Sequence, residues 1–152
     1  MTDKRYRGIF GIPATPFNED ATLDEKGLDS VLNFTVDAGA HGIVVPVMAS
    51  EYRVLDDDER KLIAERAVAI SAGRVPVVIG VAGISTFHSM ALAKHAQDTG
   101  ADAVIALPPH SRAPSKAEAC VSFTNSANPW KSQCSFKITT LDTAWMPRRW
   151  SS

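Results

Sequence analysis

Gly42-Ile-Val-Val-Pro-Val47 and Val75-Pro-Val-Val-Ile-Gly80 are two short apolar runs, and the chain between them decides the fold. That chain holds a helix over Asp57 to Ser71, with Leu62, Ile63, Ala67 and Ile70 at helical spacing and Gly73 as its stop. Asp56-Asp-Asp-Glu59 stands where the helix begins, and negative charge is favoured there by the helix dipole. No further ligands are spaced to make that run a cation loop. The flanking runs are apolar throughout instead of alternating, as in parallel strands whose faces are both covered. Strand, helix and strand make one βαβ unit.

The same unit recurs on both sides. Upstream, Gly8 to Thr15 is an apolar strand ended by Pro16. A helix follows over Asp24 to Ala38, with Leu28, Val31, Leu32 and Thr35 on one face. Thr22-Leu-Asp-Glu25 fits a capping box at its start, and Gly39 closes it. Downstream, Ser85 caps a helix over Thr86 to Thr99, Gly100 stops it, and Ala103-Val-Ile-Ala-Leu107 is a fourth strand. The strands begin at Gly8, Gly42, Val75 and Ala103, spacings of 34, 33 and 28 residues. Two architectures fit this repeat: a doubly wound open sheet, or the first half of a (β/α)8 barrel. A dinucleotide-binding doubly wound sheet favours G-x-G-x-x-G after its first strand; here that turn carries Pro13 and Pro16.

Composition narrows the function. The 152 residues carry 16 basic and 17 acidic side chains and a net charge of −1. That balance gives no electrostatic case for nucleic acid or for an anionic membrane surface. No apolar run reaches the roughly 18 residues of a spanning helix. Met1 to Arg5 leads into no secretory pattern, so a cytoplasmic address is expected. Cys120 and Cys134 are read as unpaired thiols, and His41, His88, His95 and His110 are not spaced as metal ligands, so no metal and no cofactor are expected.

The repeat stops abruptly. Ser115-Lys-Ala-Glu118 announces a fourth helix, but Asn125, Asn128 and Pro129 follow and no apolar stripe forms. The residues from Ala119 hold all three Trp and both Cys, and carry about +3 against about −4 for residues 1–118. Two units are therefore expected, a βα-repeat body over 1–118 and an irregular, poorly ordered tail over 119–152.

The strand ends carry a resemblance. Pro13-Ala-Thr-Pro-Phe17 resembles the T-P-F segment of the dihydrodipicolinate synthase / N-acetylneuraminate lyase family. Ser50-Glu51-Tyr52-Arg-Val-Leu55, then Glu59-Arg60, is similar to its G-T-T-G-E-F-x-x-L…E-R stretch. Gly80-Val-Ala-Gly83-Ile-Ser-Thr86 resembles its G-V-G-G-x-x-T. Gly100-Ala-Asp102, then Leu107-Pro-Pro-His-Ser-Arg-Ala-Pro114, resembles its G-A-D and P-Y-Y-x-x-P. All four stand in the family's order and spacing.

The resemblance implies a (β/α)8 barrel, of which this chain is the first half: four parallel strands with three to four helices, the helices on one side. It implies a lyase that holds pyruvate or another 2-keto acid as a Schiff base on a Lys ending strand six. A Tyr ending strand five shuttles protons, and Thr hydroxyls relay them. A protonated imine is an electron sink, which is why this chemistry needs a lysine. The positions matching the substrate site are Thr15, Met48, Ala49, Ser50 and His110. Here this chain departs from the family pattern. Met48 and Ala49 replace its paired Thr, leaving Ser50 as the nearest hydroxyl, and His110-Ser111 replaces its Tyr pair.

A full barrel takes about 250 residues, so four further units would take about 125, and 34 follow Glu118. The Schiff-base Lys and the proton-shuttling Tyr are therefore not expected in this chain. An out-of-frame tail and a novel extension both account for the break. The functional alternatives are a lyase with an incomplete chain, a non-catalytic half-barrel or interaction subunit, and an unrelated α/β binding domain. The open strand edges lead to an expectation of self-association or a homo-oligomer.

Overall fold

The computed structural model describes residues 6–107. The helix expected from Ser115-Lys-Ala-Glu118, the tail from Ala119, both cysteines and His110 lie outside the described residues. The elements are β1 (Phe10–Gly11), α1 (Glu25–Asp37), β2 (Gly42–Val45), α2 (Asp57–Ser71), β3 (Val77–Gly80), α3 (Thr86–Thr99) and β4 (Ala103–Ile105), with one 3-10 turn at Met48–Ser50 between β2 and α2.

The four strands are parallel and lie side by side in chain order, β1-β2-β3-β4. A doubly wound sheet reverses direction at a switch point and so breaks sequential order. With every step in one direction, right-handed crossovers put every connecting helix on the same face. This is the first half of a (β/α)8 barrel, and the doubly wound alternative is set aside.

Register separates the two faces of the sheet. Ile43 pairs with Val77, Val45 with Ile79, and Ile79 with Val104. These five side chains are buried against Leu28, Leu32 and Val36 of α1, Ile63, Ala64 and Ala67 of α2, and Leu92, Ala93 and Ala96 of α3. The alternate set, Phe10, Val44, Val78 and Ile105, faces the other way and lies outside that core.

Prolines trim the strands. Each lacks the N–H that a ladder needs. β1 keeps two paired residues of the eight expected and ends before Pro13; β2 stops before Pro46; β3 starts after Pro76. The Pro76 carbonyl still accepts the Ile43 N–H at 2.9 Å.

Helix ends follow local chemistry, with two corrections; one is that α2 closes at Ala72, left-handed at φ 47° with its N–H donating to the Val68 carbonyl, one residue before the expected Gly73. Asp56 and Glu59 form the capping box of α2: Asp56 accepts from the Asp58 and Glu59 N–H groups, and Glu59 accepts from the Asp56 N–H. Ser85 caps α3 by accepting the His88 N–H at 3.2 Å. The box expected at Thr22 and Glu25 does not form. Asp24 caps α1 instead, accepting the Gly27 N–H at 2.9 Å. The Thr22 hydroxyl is turned away, donating to Asp20 at 2.6 Å, and Glu25 pairs with Arg66. In α2 the inward positions are Arg60, Ile63, Ala64, Ala67 and Ser71, while Leu62 and Ile70 are half-buried. Ala64, Ala67 and Ser71 let this helix sit close to the sheet, while Val68 and Ile70 pack against the edge of the core.

Polar contacts stitch neighbouring helices together. Arg66 of α2 meets Glu25 and Asp29 of α1, and Arg74, just after α2, meets Asp37 of α1. His88 meets Asp57, and His95 meets Glu65, across α2 and α3.

At the N-terminal ends of the strands, Tyr6 spans the sheet. Its ring stacks on Phe10, and its hydroxyl donates to the Asp102 carbonyl at 2.9 Å, so the residues before β1 reach the residue before β4. Burial, then the Asp102 charge, hold the Tyr6 hydroxyl above its ordinary titration range. A raised folded-state value favours the protonated form. The stabilisation is therefore present below the unfolded value, near pH 10, and is lost as pH rises through the folded value. Tyr6→Phe is expected to cost about 0.5–1 kcal/mol in urea unfolding at pH 7 and nothing once wild-type Tyr6 is ionised. A deficit that persists undiminished at a pH where the Tyr6 phenolate absorbance has appeared would overturn the assignment of that bond.

Candidate functional site

In a (β/α)8 barrel the chemistry stands at the C-terminal ends of the strands. Here those ends lead into the loop after β1, the 3-10 turn after β2 and the segment Val81–Gly83 after β3. Thr15 and Ser50 are brought together. The Thr15 hydroxyl donates to the Ser50 carbonyl at 2.7 Å, and the Ser50 hydroxyl donates to the Pro13 carbonyl at 2.8 Å. Ser50 is fully buried and Thr15 nearly so. Both hydroxyl protons are thus committed to locking the β1 loop onto the β2 turn, while each oxygen keeps lone pairs to accept with. Met48 and Ala49 sit on the same turn with exposed side chains and bring no hydroxyl. His110 lies outside the described residues.

A second group, absent from the sequence-derived site, joins the β2 and β3 ends. Arg60 reaches inward from α2 with 5% of its surface exposed. Its Nη2 donates to the Gly80 carbonyl at 3.2 Å, and its guanidinium carbon lies 5.4 Å from the centre of the Tyr52 ring. Burial pushes the Arg60 guanidinium below its ordinary value; Asp57, then Tyr52, oppose that shift. Its Nε is buried without a protein partner. Gly80 has no room for a side chain, because a Cβ would overlap the Pro46 carbonyl oxygen. Glu59-Arg60 was visible as part of a motif. On a helix, however, an arginine is ordinarily a surface residue, and only the tertiary structure turns this one inward.

The rim is also fixed. The Gly83 N–H donates to Ser89 Oγ at 3.0 Å, and the Ile84 N–H donates to His88 Nδ1 at 3.3 Å. That leaves His88 Nε2 to carry the proton toward Asp57, 2.8 Å away. The site therefore offers acceptor oxygens, backbone groups and a buried cation. Lys26, Lys61 and Lys94, the lysines among the described residues, all lie on helices. Lys61 pairs with Asp58 and Lys94 with Asp98. Among the described residues no three His, Cys, Asp or Glu side chains cluster to hold a metal.

The model of the dihydrodipicolinate synthetase family matches residues 5–129. This chain belongs to that family. Among curated relatives, it is 37% identical over 107 residues to the probable 2-dehydro-3-deoxy-D-pentonate aldolase YjhH of Escherichia coli strain K12, covering 70% of this chain and 36% of that protein. It is 34% identical over 110 residues to the 4-hydroxy-tetrahydrodipicolinate synthase of Brucella abortus, covering 72% and 38%. Among solved structures, the family protein YagE of E. coli K12, in complex with pyruvate, superposes with a TM-score of 0.80 at 29% identity, covering 86% of this chain and 44% of that one. The dihydrodipicolinate synthase of Aquifex aeolicus gives 0.81 at 28%, covering 88% and 44%. The chain spans little more than a third of the length of these curated family members. Among the described residues no helix is long and apolar enough to cross a membrane.

Proposed function

We propose that this chain is the amino-terminal half of a family lyase that takes pyruvate or another 2-keto acid through a Schiff base, and that the 152-residue chain alone is catalytically empty. Thr15, Met48, Ala49, Ser50 and His110 are its share of the substrate end. The observation that carries this reading is the placing of its lysines. A Schiff-base lysine must be neutral near pH 7, and an ordinary lysine, with a value near 10.4, is neutral in only about one molecule in 2,500. Enclosure or a neighbouring cation must lower that value. Lys26, Lys61 and Lys94 have neither setting. Hydrogen bonding and charge from Asp58 push Lys61 up, opposite to what a nucleophile requires. The other four, Lys4, Lys116, Lys131 and Lys137, lie outside the described residues and match no family strand-six position. The loss of the paired Thr at Met48 and Ala49, with the Ser50 proton donated to Pro13, supports a substrate or reaction other than that of relatives carrying both hydroxyls.

Borohydride trapping tests this. The purified chain is incubated with pyruvate and sodium borohydride and weighed, beside a full-length family member. The full-length protein is expected to gain one reduced pyruvyl adduct and this chain none. A stoichiometric adduct mapped to one of its seven lysines would overturn the reading.

A further inference from the structure

The sheet of this half-barrel is apolar on both faces, and the three described helices cover one. Phe10, Val44, Val78 and Ile105 share the other face by register and are only partly covered. The edges are also apolar. Ile9 and Ile12, flanking β1, are 74% and 49% exposed. β1 and β4 are the two ends of the sheet, and among the described residues no strand lies beside the outer edge of either. Unpaired edges of this kind are templates for another strand.

The polarity and order of the strands specify which strand. All four run the same way, so a two-fold axis along the strand direction preserves that direction. Rotation about it carries β1 of a second copy to β4 of the first, and β4 of the second to β1 of the first. Both seams are then parallel, identical and closed, and four strands from each copy make the eight of a closed barrel. A two-fold axis across the strands would instead pair β1 with β1 antiparallel and leave both β4 edges open. The Tyr6 bond to Asp102 ties the start of one edge to the start of the other across the N-terminal end. The two edges that a partner must meet are thus already held in one frame.

We propose that two copies of this 152-residue chain close into one eight-stranded barrel, β4 of each beside β1 of the other, with Phe10, Val44, Val78 and Ile105 buried inside. This goes beyond the catalytic reading and rests only on the strand order and the two-faced sheet. It is independent of whether any lysine reacts.

The test combines mass with cross-linking. Sedimentation at tens of micromolar is expected to show one species of twice the 16.4 kDa chain mass, with helical far-UV dichroism. In a Cys120→Ser, Cys134→Ser background, Phe10→Cys is made in one preparation, and Ala103→Cys or Ile105→Cys in another. A disulfide needs Cα atoms about 4.4–6.8 Å apart. Oxidation of the re-equilibrated mixture is expected to give a disulfide-linked heterodimer, and neither variant alone is expected to cross-link. Ile12→Cys replaces Phe10→Cys should the latter fail to fold. A folded monomer would overturn the proposal, because the face and edges would then be closed within one chain. A dimer without mixed cross-links would overturn it by placing the contact elsewhere. An open-ended series of larger species would show that the edges pair without closing, and would overturn it as well.

Discussion

Arg60→Ala is expected to lower the unfolding free energy by about 3–4 kcal/mol, read from the urea midpoint at unchanged slope. Three losses combine. The truncation leaves a cavity where α2 meets the β3 end, the Gly80 carbonyl loses its donor, and the Tyr52 ring loses the cation over its face. The charge itself is not the main contributor. A guanidinium at 5% exposure has surrendered most of its hydration, and that cost offsets much of what its contacts return. Arg60→Met keeps the stem and removes the charge, and it is expected to cost about 1 kcal/mol or less. Equal losses in the two variants would show that charge, not volume, holds the junction.

Gly80→Ala is expected to cost about 3 kcal/mol, at the upper end for an added methyl, because the obstacle is backbone. The new Cβ would overlap the Pro46 carbonyl oxygen, so β2 and β3 would have to part at their C-terminal ends. Gly39→Ala is the control. No atom beyond its own chain neighbours lies within 4 Å of its Cβ position, but its φ is +86°, so it tests conformational strain without a clash. A loss of about 1 kcal/mol is expected there. Should Gly80→Ala cost no more than Gly39→Ala by thermal or urea unfolding, the close approach of β2 and β3 would be refuted.

These two positions also mark how far the sequence could be read. Local signals located α2 and α3 to the residue, because Asp56, Ser85 and Gly100 act through neighbouring backbone groups. The strand order followed from βα spacing only as far as two alternatives, and it took the pairing of β1, β2, β3 and β4 in sequence to decide. Prolines shortened the strands in a way that hydrophobic runs do not reveal, since Pro13, Pro46 and Pro76 extend an apolar pattern while removing a hydrogen bond. The Thr22 motif misleads because a competing Asp20 carboxylate lies two residues away and takes the hydroxyl. In the site, Thr15 and Ser50 were named from their motifs, but the direction in which their protons point depends on the Pro13 and Ser50 carbonyls, 35 or more residues distant in chain. Arg60 is invisible to local reading because its partners are tertiary: Gly80 ends β3, and the Tyr52 ring is brought under the guanidinium by the loop before α2.

The Tyr6 latch has a consequence for synthesis. Donor and acceptor are separated by 96 residues, the donor among the first made and the acceptor among the last of the sheet. At about 5–20 residues per second, Tyr6 is joined to the chain roughly 5–20 s before Asp102. During that interval β2, α2 and β3 can assemble from contacts near in sequence, whereas β1 has two ladder residues and the Ile9–His41 bonds but lacks the Tyr6 latch. The nascent protein therefore spends seconds with its first strand unlatched from the far side of the sheet. A chaperone that caps exposed apolar chain would find Ile9 and Ile12 there, before a second molecule could.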